Sequence, residues 1–143
     1  PQYERLQACF GLTAVVASEI EFYLHGATAC PRFPEFWETL TDICQRSGVA
    51  VQKYEKEKGS EQYEVAFFPT DPLSCAVGTA LFRQSASEAA QRFGMRANFA
   101  AKPILGEPGS GLHIHVHLQD NEGRNVFTKR DADISDALKH SIG

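Results

Sequence analysis

The sequence predicts an α+β fold, in which an antiparallel or mixed sheet has helices over one face and acidic residues on the other. Three observations support this prediction. Strand-like and helical segments follow in the order β, α, β-hairpin, α, β, β, with short turns between neighbouring strands. Acidic and apolar residues alternate in SEIEFYL, as on a half-buried strand. The 143 residues, 43% of them hydrophobic, are enough for one domain with a core.

The first half of the chain predicts a helix, a strand and a second helix. Residues 1–11 predict a short helix, because Pro suits the first turn and Gly the position after the last. Residues 12–25 are rich in Val, Ile, Phe and Tyr and predict one strand, or two strands with a break. Residues 34–48 follow a loop and place apolar side chains at helical spacing, with Gly48 as the terminator.

The second half predicts a hairpin, a long helix, two strands and a final helix. The hairpin strands are 49–58 and 61–68, and the long helix runs from Asp71, its predicted N-cap, to about Phe93. The buried side predicted for this helix consists of Leu73, Ala76, Ala80, Ala89 and Phe93. The remaining strands are 95–103 and 112–118, and the final helix, 131–143, has Asp131, Asp133 or Ser135 as its cap.

Charge and composition argue against several classes of protein. The net charge of −4 disfavours a nucleic-acid-binding protein, which usually has a basic stripe. No apolar run approaches the roughly 20 residues that span a bilayer, and the N-terminus lacks a signal-peptide pattern. The four cysteines form no C-x-x-C pair and predict buried, reduced thiols. We therefore expect a cytoplasmic protein that binds neither nucleic acid nor membrane.

Two acidic pairs are candidate ligands. Glu19 and Glu21 are two positions apart on a strand and share a face, although a solvated strand face would show the same pattern. A hairpin loop centred on residues 59–62 places Glu57 opposite Glu64, where two carboxylates about 5 Å apart repel by roughly 3 kcal/mol at an effective dielectric of about 20. Water, protonation or a bound cation would relieve this repulsion. A one-residue slip would separate the faces, and a surface network could neutralise the pair through Lys53, Lys56 and Lys58.

Three histidines alternate along one strand directly after two glycines. The stretch GSGLHIHVHL places His113, His115 and His117 on the same strand face. Carboxylates with one imidazole favour Mg²⁺ or Mn²⁺, whereas three histidines alone favour zinc. Gly109 and Gly111 of this GSG segment (residues 109–111) allow backbone N–H groups to approach a carboxylate or phosphate. The alternative to a ligand-binding site is a half-buried strand face on which the histidines have only a structural role.

The motifs E-x-E-F, E-x6-E-V and K-P-x5-G-S-G-x-H-x-H together resemble the catalytic domain of glutamine synthetases and of relatives that join glutamate to other amines. The resemblance covers nearly the whole chain, and the segment from Lys102 to His115 is its most specific part. It implies a glutamine synthetase catalytic-domain-like fold that is incomplete here. Residues 1–143 would form the N-terminal portion of that domain.

The resemblance implies two Mg²⁺ or Mn²⁺ sites and two substrate contacts. The residues implied for the cation nearer the glutamate and ammonia are Glu21, Glu57 and Glu64. The residues implied for the cation that serves the ATP phosphates are Glu19 and His113. His115 would approach the nucleotide phosphates, and Gly109 would lie against the glutamate.

The implied reaction joins glutamate to ammonia or another amine through γ-glutamyl phosphate, with ATP as the phosphoryl donor. Members complete their active sites with a neighbouring subunit, which implies a homo-oligomer. Two positions depart from the family pattern: Pro108 replaces the Asn of many members, and His117 replaces the usual Ser. The family's N-terminal domain and later catalytic arginines are not among these residues, so we expect a fragment that makes no product alone.

Two other hypotheses remain open at this point. The chain could be a non-catalytic relative that keeps the fold as an assembly or regulatory module. It could also be a zinc-dependent hydrolase that uses His113, His115 and His117.

Overall fold

The computed structural model describes residues 2–128 and 134–142, and these residues form four α-helices and five strands. The helices are α1 (Gln2–Phe10), α2 (Phe33–Arg46), α3 (Pro72–Arg92) and α4 (Asp136–Ile142). The strands are β1 (Thr13–His25), β2 (Val51–Lys56), β3 (Gln62–Phe67), β4 (Arg96–Asn98) and β5 (Leu112–Gln119). A single 3₁₀ turn covers Ala27–Ala29. The predicted α+β class is confirmed.

Strand β1 is the centre of an antiparallel sheet whose order is β2-β3-β1-β4, with β5 also paired to β1. On one side of β1, residues 19–23 pair with β3. On the other side, residues 13–20 pair with β5 and residues 23–25 with β4. Because β1 runs unbroken over 13 residues, the alternative of two strands with a break is wrong.

The hydrophobic core lies on one face of the sheet. Ile20, Phe22 and Leu24 of β1 are at most 5% exposed, and they pack with Leu40 of α2 and Phe82 of α3. Side chains alternate along a strand, so the glutamates of β1 lie on the opposite face, as predicted. We call that opposite face the acidic face.

Helix α3 begins as predicted but buries a different stripe. The Asp71 carboxylate accepts hydrogen bonds from the backbone N–H groups of Leu73 and Ser74, both at 3.0 Å. The predicted burial of Leu73, Ala76 and Ala80 is wrong, since all three are exposed. Ala76 and Ala80 line an open groove of about 420 Å³ between α3 and β5. The residues of α3 that are buried are Cys75, Phe82, Ser85, Ala86, Ala89 and Ala90.

The hairpin register differs from the predicted one by two residues. The prediction that Glu57 lies opposite Glu64 is wrong, because Glu55 holds that position. Gly59 constrains the turn, since a Cβ there would lie 2.3 Å from the Tyr23 hydroxyl oxygen. A shift by two residues keeps each side chain on its original face. Glu57 therefore remains on the acidic face with Glu64.

The connection between β4 and β5 folds back over part of the acidic face. Tyr23 is fully buried, and its hydroxyl donates to the Pro108 carbonyl at 2.8 Å. The backbone N–H of Ser110 donates to the Ala101 carbonyl at 2.9 Å. These contacts place the GSG segment beside β1.

The final helix has a serine cap. The Leu138 N–H donates to the Ser135 hydroxyl at 3.1 Å, so Ser135 is confirmed as a cap. The alternative caps, Asp131 and Asp133, lie outside the described residues. Of the helices that the structure describes, none is both long and apolar enough to cross a membrane.

The four cysteines are free thiols with different exposure. Cys44 and Cys75 are buried and Cys30 is half-buried. Cys9 is exposed on α1, so the prediction of burial is wrong for this residue.

Replacement of Phe82 by Ala should destabilise the fold strongly. Phe82 is fully buried, and its ring centroid lies 5.8 Å from that of Phe22 and 5.3 Å from that of Phe67. We expect Phe82→Ala to lower the free energy of unfolding by about 3–5 kcal/mol, measured by urea denaturation. Phe10→Ala, at a side chain that is 73% exposed, is the control and should change it by less than about 0.5 kcal/mol. Equal effects of the two variants would contradict the described core.

Glu61 attaches the turn after β1 to the hairpin. Its carboxylate accepts hydrogen bonds from the Gly26 N–H at 3.1 Å, the Thr28 N–H at 2.8 Å and the Thr28 hydroxyl at 2.9 Å. Burial alone would raise the pKa of Glu61, but these hydrogen bonds outweigh it and hold the pKa below its usual value. The charged form of Glu61 therefore stabilises the fold.

Replacement of Glu61 by Gln should produce a pH-dependent loss of stability. Because the folded-state pKa is lowered, the contribution of Glu61 is present above its unfolded-state pKa and is lost as the pH falls through the folded-state pKa. After allowance for solvent screening, we expect Glu61→Gln to cost about 1 kcal/mol at pH 7. The difference from wild type should shrink below about pH 4.5 in urea titrations at several pH values. A pH-independent difference, or an equal loss in the exposed-helix control Glu38→Gln, would contradict this role.

Candidate functional site

Glu19, Glu64 and His113 form a cluster on the acidic face. Glu19 of β1 lies directly opposite His113 of β5, while Glu64 of β3 lies opposite Glu21 on the other side of β1. One ligand atom from each of the three clustered residues lies within 4.8 Å of the others. The Nδ1 atom of His113 is 3.7 Å from Oε2 of Glu19 and 3.8 Å from Oε2 of Glu64. Three strands thus contribute one ligand each.

Burial and like charge both act on Glu64. Its side chain is 11% exposed. Burial first, and then the charges of Glu19, Glu57 and Glu21, raise the pKa of the Glu64 carboxyl. The hydrogen bond with His115, by contrast, holds the pKa of Glu19 below its usual value. A cation placed between Glu19 and Glu64 would relieve the repulsion on Glu64.

The three histidines of β5 share a face but have different partners. His113 belongs to the cluster, whereas Nε2 of His115 lies 3.1 Å from Oε2 of Glu19. Nε2 of His117 lies 3.0 Å from the side-chain amide nitrogen of Gln119. In the part of the chain that the structure describes, the three imidazoles form no common ligand set. This geometry disfavours the zinc hydrolase hypothesis.

Glu21 and Glu57, the other two predicted ligands, lie next to the cluster rather than within it. Oε2 of Glu21 accepts hydrogen bonds from the Gly111 N–H at 3.1 Å and from the Gln62 amide at 2.9 Å. Both of these hydrogen bonds use Oε2, and neither uses Oε1. Glu57 is half-buried beside the turn, and its charge acts on Glu64.

Both glycines of the GSG segment lie close to other atoms of the site, and the contact is closest at Gly109. A Cβ at Gly109 would lie 2.8 Å from the Ala101 carbonyl oxygen. A Cβ at Gly111 would lie 3.0 Å from Nε2 of His113 and 3.4 Å from Oε1 of Glu21. A side chain at position 111 would therefore fill space between a carboxylate and an imidazole, which is space that a bound cation needs.

Gln62 also lies in this site, although no motif in the sequence indicated it. This side chain is 1% exposed, and its amide contacts both Glu21 and the Gly109 carbonyl. Gln62 lies two residues before Glu64 on the same strand, so its side chain faces the same way. The two-residue spacing from Glu64 could have indicated that Gln62 faces the site. A glutamine next to a turn is by itself not a specific signal of function.

The donor set fits a hard divalent cation. Two carboxylates and one imidazole are ligands that Mg²⁺ and Mn²⁺ accept together with water. The site opens at the surface, where the His113 side chain is 56% exposed. The groove between α3 and β5 is lined mainly by apolar residues and lies on the other face of the sheet.

Comparisons with known proteins give a consistent result. Residues 26–143 match the family model for the catalytic domain of glutamine synthetase. A glutamate–methylamine ligase of Methyloversatilis universalis is 32% identical over 92 residues, which cover 64% of this chain and 21% of the ligase. A glutamine synthetase of Pyrococcus abyssi is 28% identical, over 93% of this chain and 34% of that enzyme. A crystal structure described as a novel glutamine synthase homolog has a TM-score of 0.85 and 27% identity, over 97% of this chain and 35% of that one.

The matched regions define what the comparisons support. The chain spans 21–35% of the length of these three proteins. Glu64 and His113 lie inside the range of the family model, while Glu19 and Glu21 precede it. The structural match extends over nearly the whole chain. The chain therefore belongs to the glutamine synthetase catalytic-domain family.

Proposed function

We propose that this chain is the N-terminal portion of a catalytic domain that uses ATP to join glutamate to ammonia or another amine. The observation that best supports the proposal is the Glu19–Glu64–His113 cluster in a chain of this family. One relative is named glutamate–methylamine ligase and another glutamine synthetase, which supports either a small amine or ammonia as the nitrogen substrate.

The proposed reaction activates a carboxylate, which is a poor electrophile. Phosphoryl transfer from ATP to the γ-carboxylate of glutamate gives γ-glutamyl phosphate and ADP. The amine nitrogen then attacks the γ-carbonyl carbon and the bond from this carbon to the phosphate oxygen breaks. The nitrogen loses one proton, which balances the charge of the inorganic phosphate that leaves as HPO₄²⁻. ATP and glutamate bring several negative charges together, which a surface of glutamates alone would repel.

Side chains of this protein would bind divalent cations, and the positive charge of these cations would allow the anionic substrates to bind. Glu19 and His113 would hold one Mg²⁺ or Mn²⁺, and Glu21, Glu57 and Glu64 would hold a second. Glu64 lies close enough to Glu19 and His113 to border both sites. A divalent cation bound there supplies positive charge that offsets the charges of the phosphates and the carboxylate.

Two further residues would contact the substrates. Gly109 has no room for a side chain, so a backbone group would meet the glutamate there. His115 has a 61% exposed side chain beside Glu19 and would meet the nucleotide phosphates. The Pro108 carbonyl accepts a hydrogen bond from the Tyr23 hydroxyl, a backbone contact that does not depend on which side chain occupies position 108.

We also propose that the protein forms a homo-oligomer. Among the strands that the structure describes, β5 pairs only with β1, and its other edge is bridged only at its end, from Gln119 to Asn125. Leu112, Ile114 and Val116 on its apolar side are each at least 50% exposed. An open strand edge beside exposed apolar side chains favours association.

Mn²⁺ or Mg²⁺ should raise the unfolding temperature of the chain. A ligand at ten times its Kd stabilises the native state by about 1.4 kcal/mol, which corresponds to roughly 3–6 °C for a domain of this size. Glu64→Gln removes one charged ligand and should abolish most of the shift, measured by thermal denaturation with the cation and with EDTA. Glu38→Gln removes the same charge from an exposed position on α2 and should keep the wild-type shift. A full shift in Glu64→Gln would contradict the proposed cation site.

The 143-residue chain alone should release no phosphate in a glutamate- and amine-dependent manner. It spans about a third of the length of the full relatives, so most of a ligase active site would have to come from elsewhere. A phosphate-release assay with and without glutamate measures this, and glutamate-dependent release by the purified chain would contradict the expectation.

The same assay on a longer protein containing this chain, with ammonia or methylamine, tests the ligase proposal. No phosphate release with either amine would favour the non-catalytic module instead.

A further inference from the structure

Gln62 joins three parts of the site that are far apart in the sequence. Its amide oxygen accepts a hydrogen bond from the Gly59 N–H in the hairpin turn at 3.1 Å. Its amide nitrogen donates to Oε2 of Glu21 at 2.9 Å and to the Gly109 carbonyl at 2.8 Å. Gln62 itself is 1% exposed, so its amide has little contact with water.

The three partners determine the orientation of the Gln62 amide. The oxygen faces an N–H donor, and the nitrogen faces two acceptors, a carboxylate and a carbonyl. A flipped amide would place its oxygen against both acceptors and its nitrogen against the Gly59 N–H, so every hydrogen bond would be lost. The observed orientation is therefore the one that satisfies all three groups.

The Gln62 amide helps to orient the carboxylate of Glu21. Both the Gln62 amide and the Gly111 N–H donate to the same oxygen of this carboxylate, Oε2. Two bonds to one oxygen restrict the rotation of the carboxylate. A Cβ placed at Gly111 would lie 3.4 Å from the other oxygen, Oε1, and 3.0 Å from Nε2 of His113.

The Gln62 amide also contacts the peptide between Gly109 and Ser110. Its carbonyl is held by Gln62 at 2.8 Å, and its N–H is held by the Ala101 carbonyl at 2.9 Å. The peptide plane is thus fixed from both sides. One amide side chain thus contacts both the carboxylate of Glu21 and the backbone at Gly109.

We propose that Gln62 is a positioning residue that sets the distance between a cation at the acidic cluster and a substrate at Gly109. It acts through Glu21 and the Gly109 carbonyl and does not itself contact a reacting atom. The inference rests on the proposed function, because that function supplies the cation and the substrate.

The test compares Gln62→Met with wild type in the 143-residue chain. Methionine keeps the length and volume of glutamine but has no amide, so it loses all three hydrogen bonds. We expect Mn²⁺ binding, measured by titration calorimetry, to weaken at least tenfold. We also expect amide hydrogen exchange at Gly59 and Gly111 to accelerate at least tenfold in the metal-free chain, while exchange at Phe22 in the core changes less.

A second variant separates positioning from loss of stability. Phe82→Leu destabilises the core on the other face of the sheet and should leave Mn²⁺ affinity within twofold of wild type. If Gln62→Met binds Mn²⁺ as wild type does, or if its amide exchange accelerates equally in the core and at Gly111, the positioning role is overturned while the cation site stands. If wild type binds no Mn²⁺, the proposed function fails, and this inference fails with it.

Discussion

The alternation of side chains along β1 is the constraint on which both the core and the site depend. Ile20 and Phe22 are buried on one face, and this burial forces Glu19 and Glu21 onto the other. A slip of one residue would exchange the two sets, exposing apolar side chains and burying two unpaired carboxylates, each at a penalty of several kcal/mol. The packing of the core therefore determines where the acidic residues lie.

This constraint places several like charges on one face. The repulsion between them is compensated to a different extent at each carboxylate. Glu19 is compensated by His115, and Glu21 is held by hydrogen bonds from Gln62 and Gly111. Glu64 is the most buried member of the cluster, and burial and repulsion raise its pKa. The carboxylate with the least compensation thus lies at the point where a cation would contribute most.

The local elements could be predicted because their signals lie within a few residues of one another. The Asp71 cap needs only the N–H groups of the next turn, and the faces of Glu19, Glu21 and Glu64 follow from a period of two. A hairpin register wrong by two residues still left Glu57 on the correct face. Prediction failed for α3, whose first turns border an open groove, because burial there depends on what packs against the helix and not on the spacing of its residues.

The sequence by itself determined the class of fold, the order of its elements and the face on which each candidate ligand lies, because these follow from local periodicity and capping. The tertiary structure alone decided which of those residues meet. Glu19, Glu64 and His113 come from three strands, and the role of Gln62 depends on contacts with β1 and the GSG segment. Such pairings are set by close packing between distant segments, for example where Gly59 lies against Tyr23. A local sequence pattern contains no information on the distances between such segments.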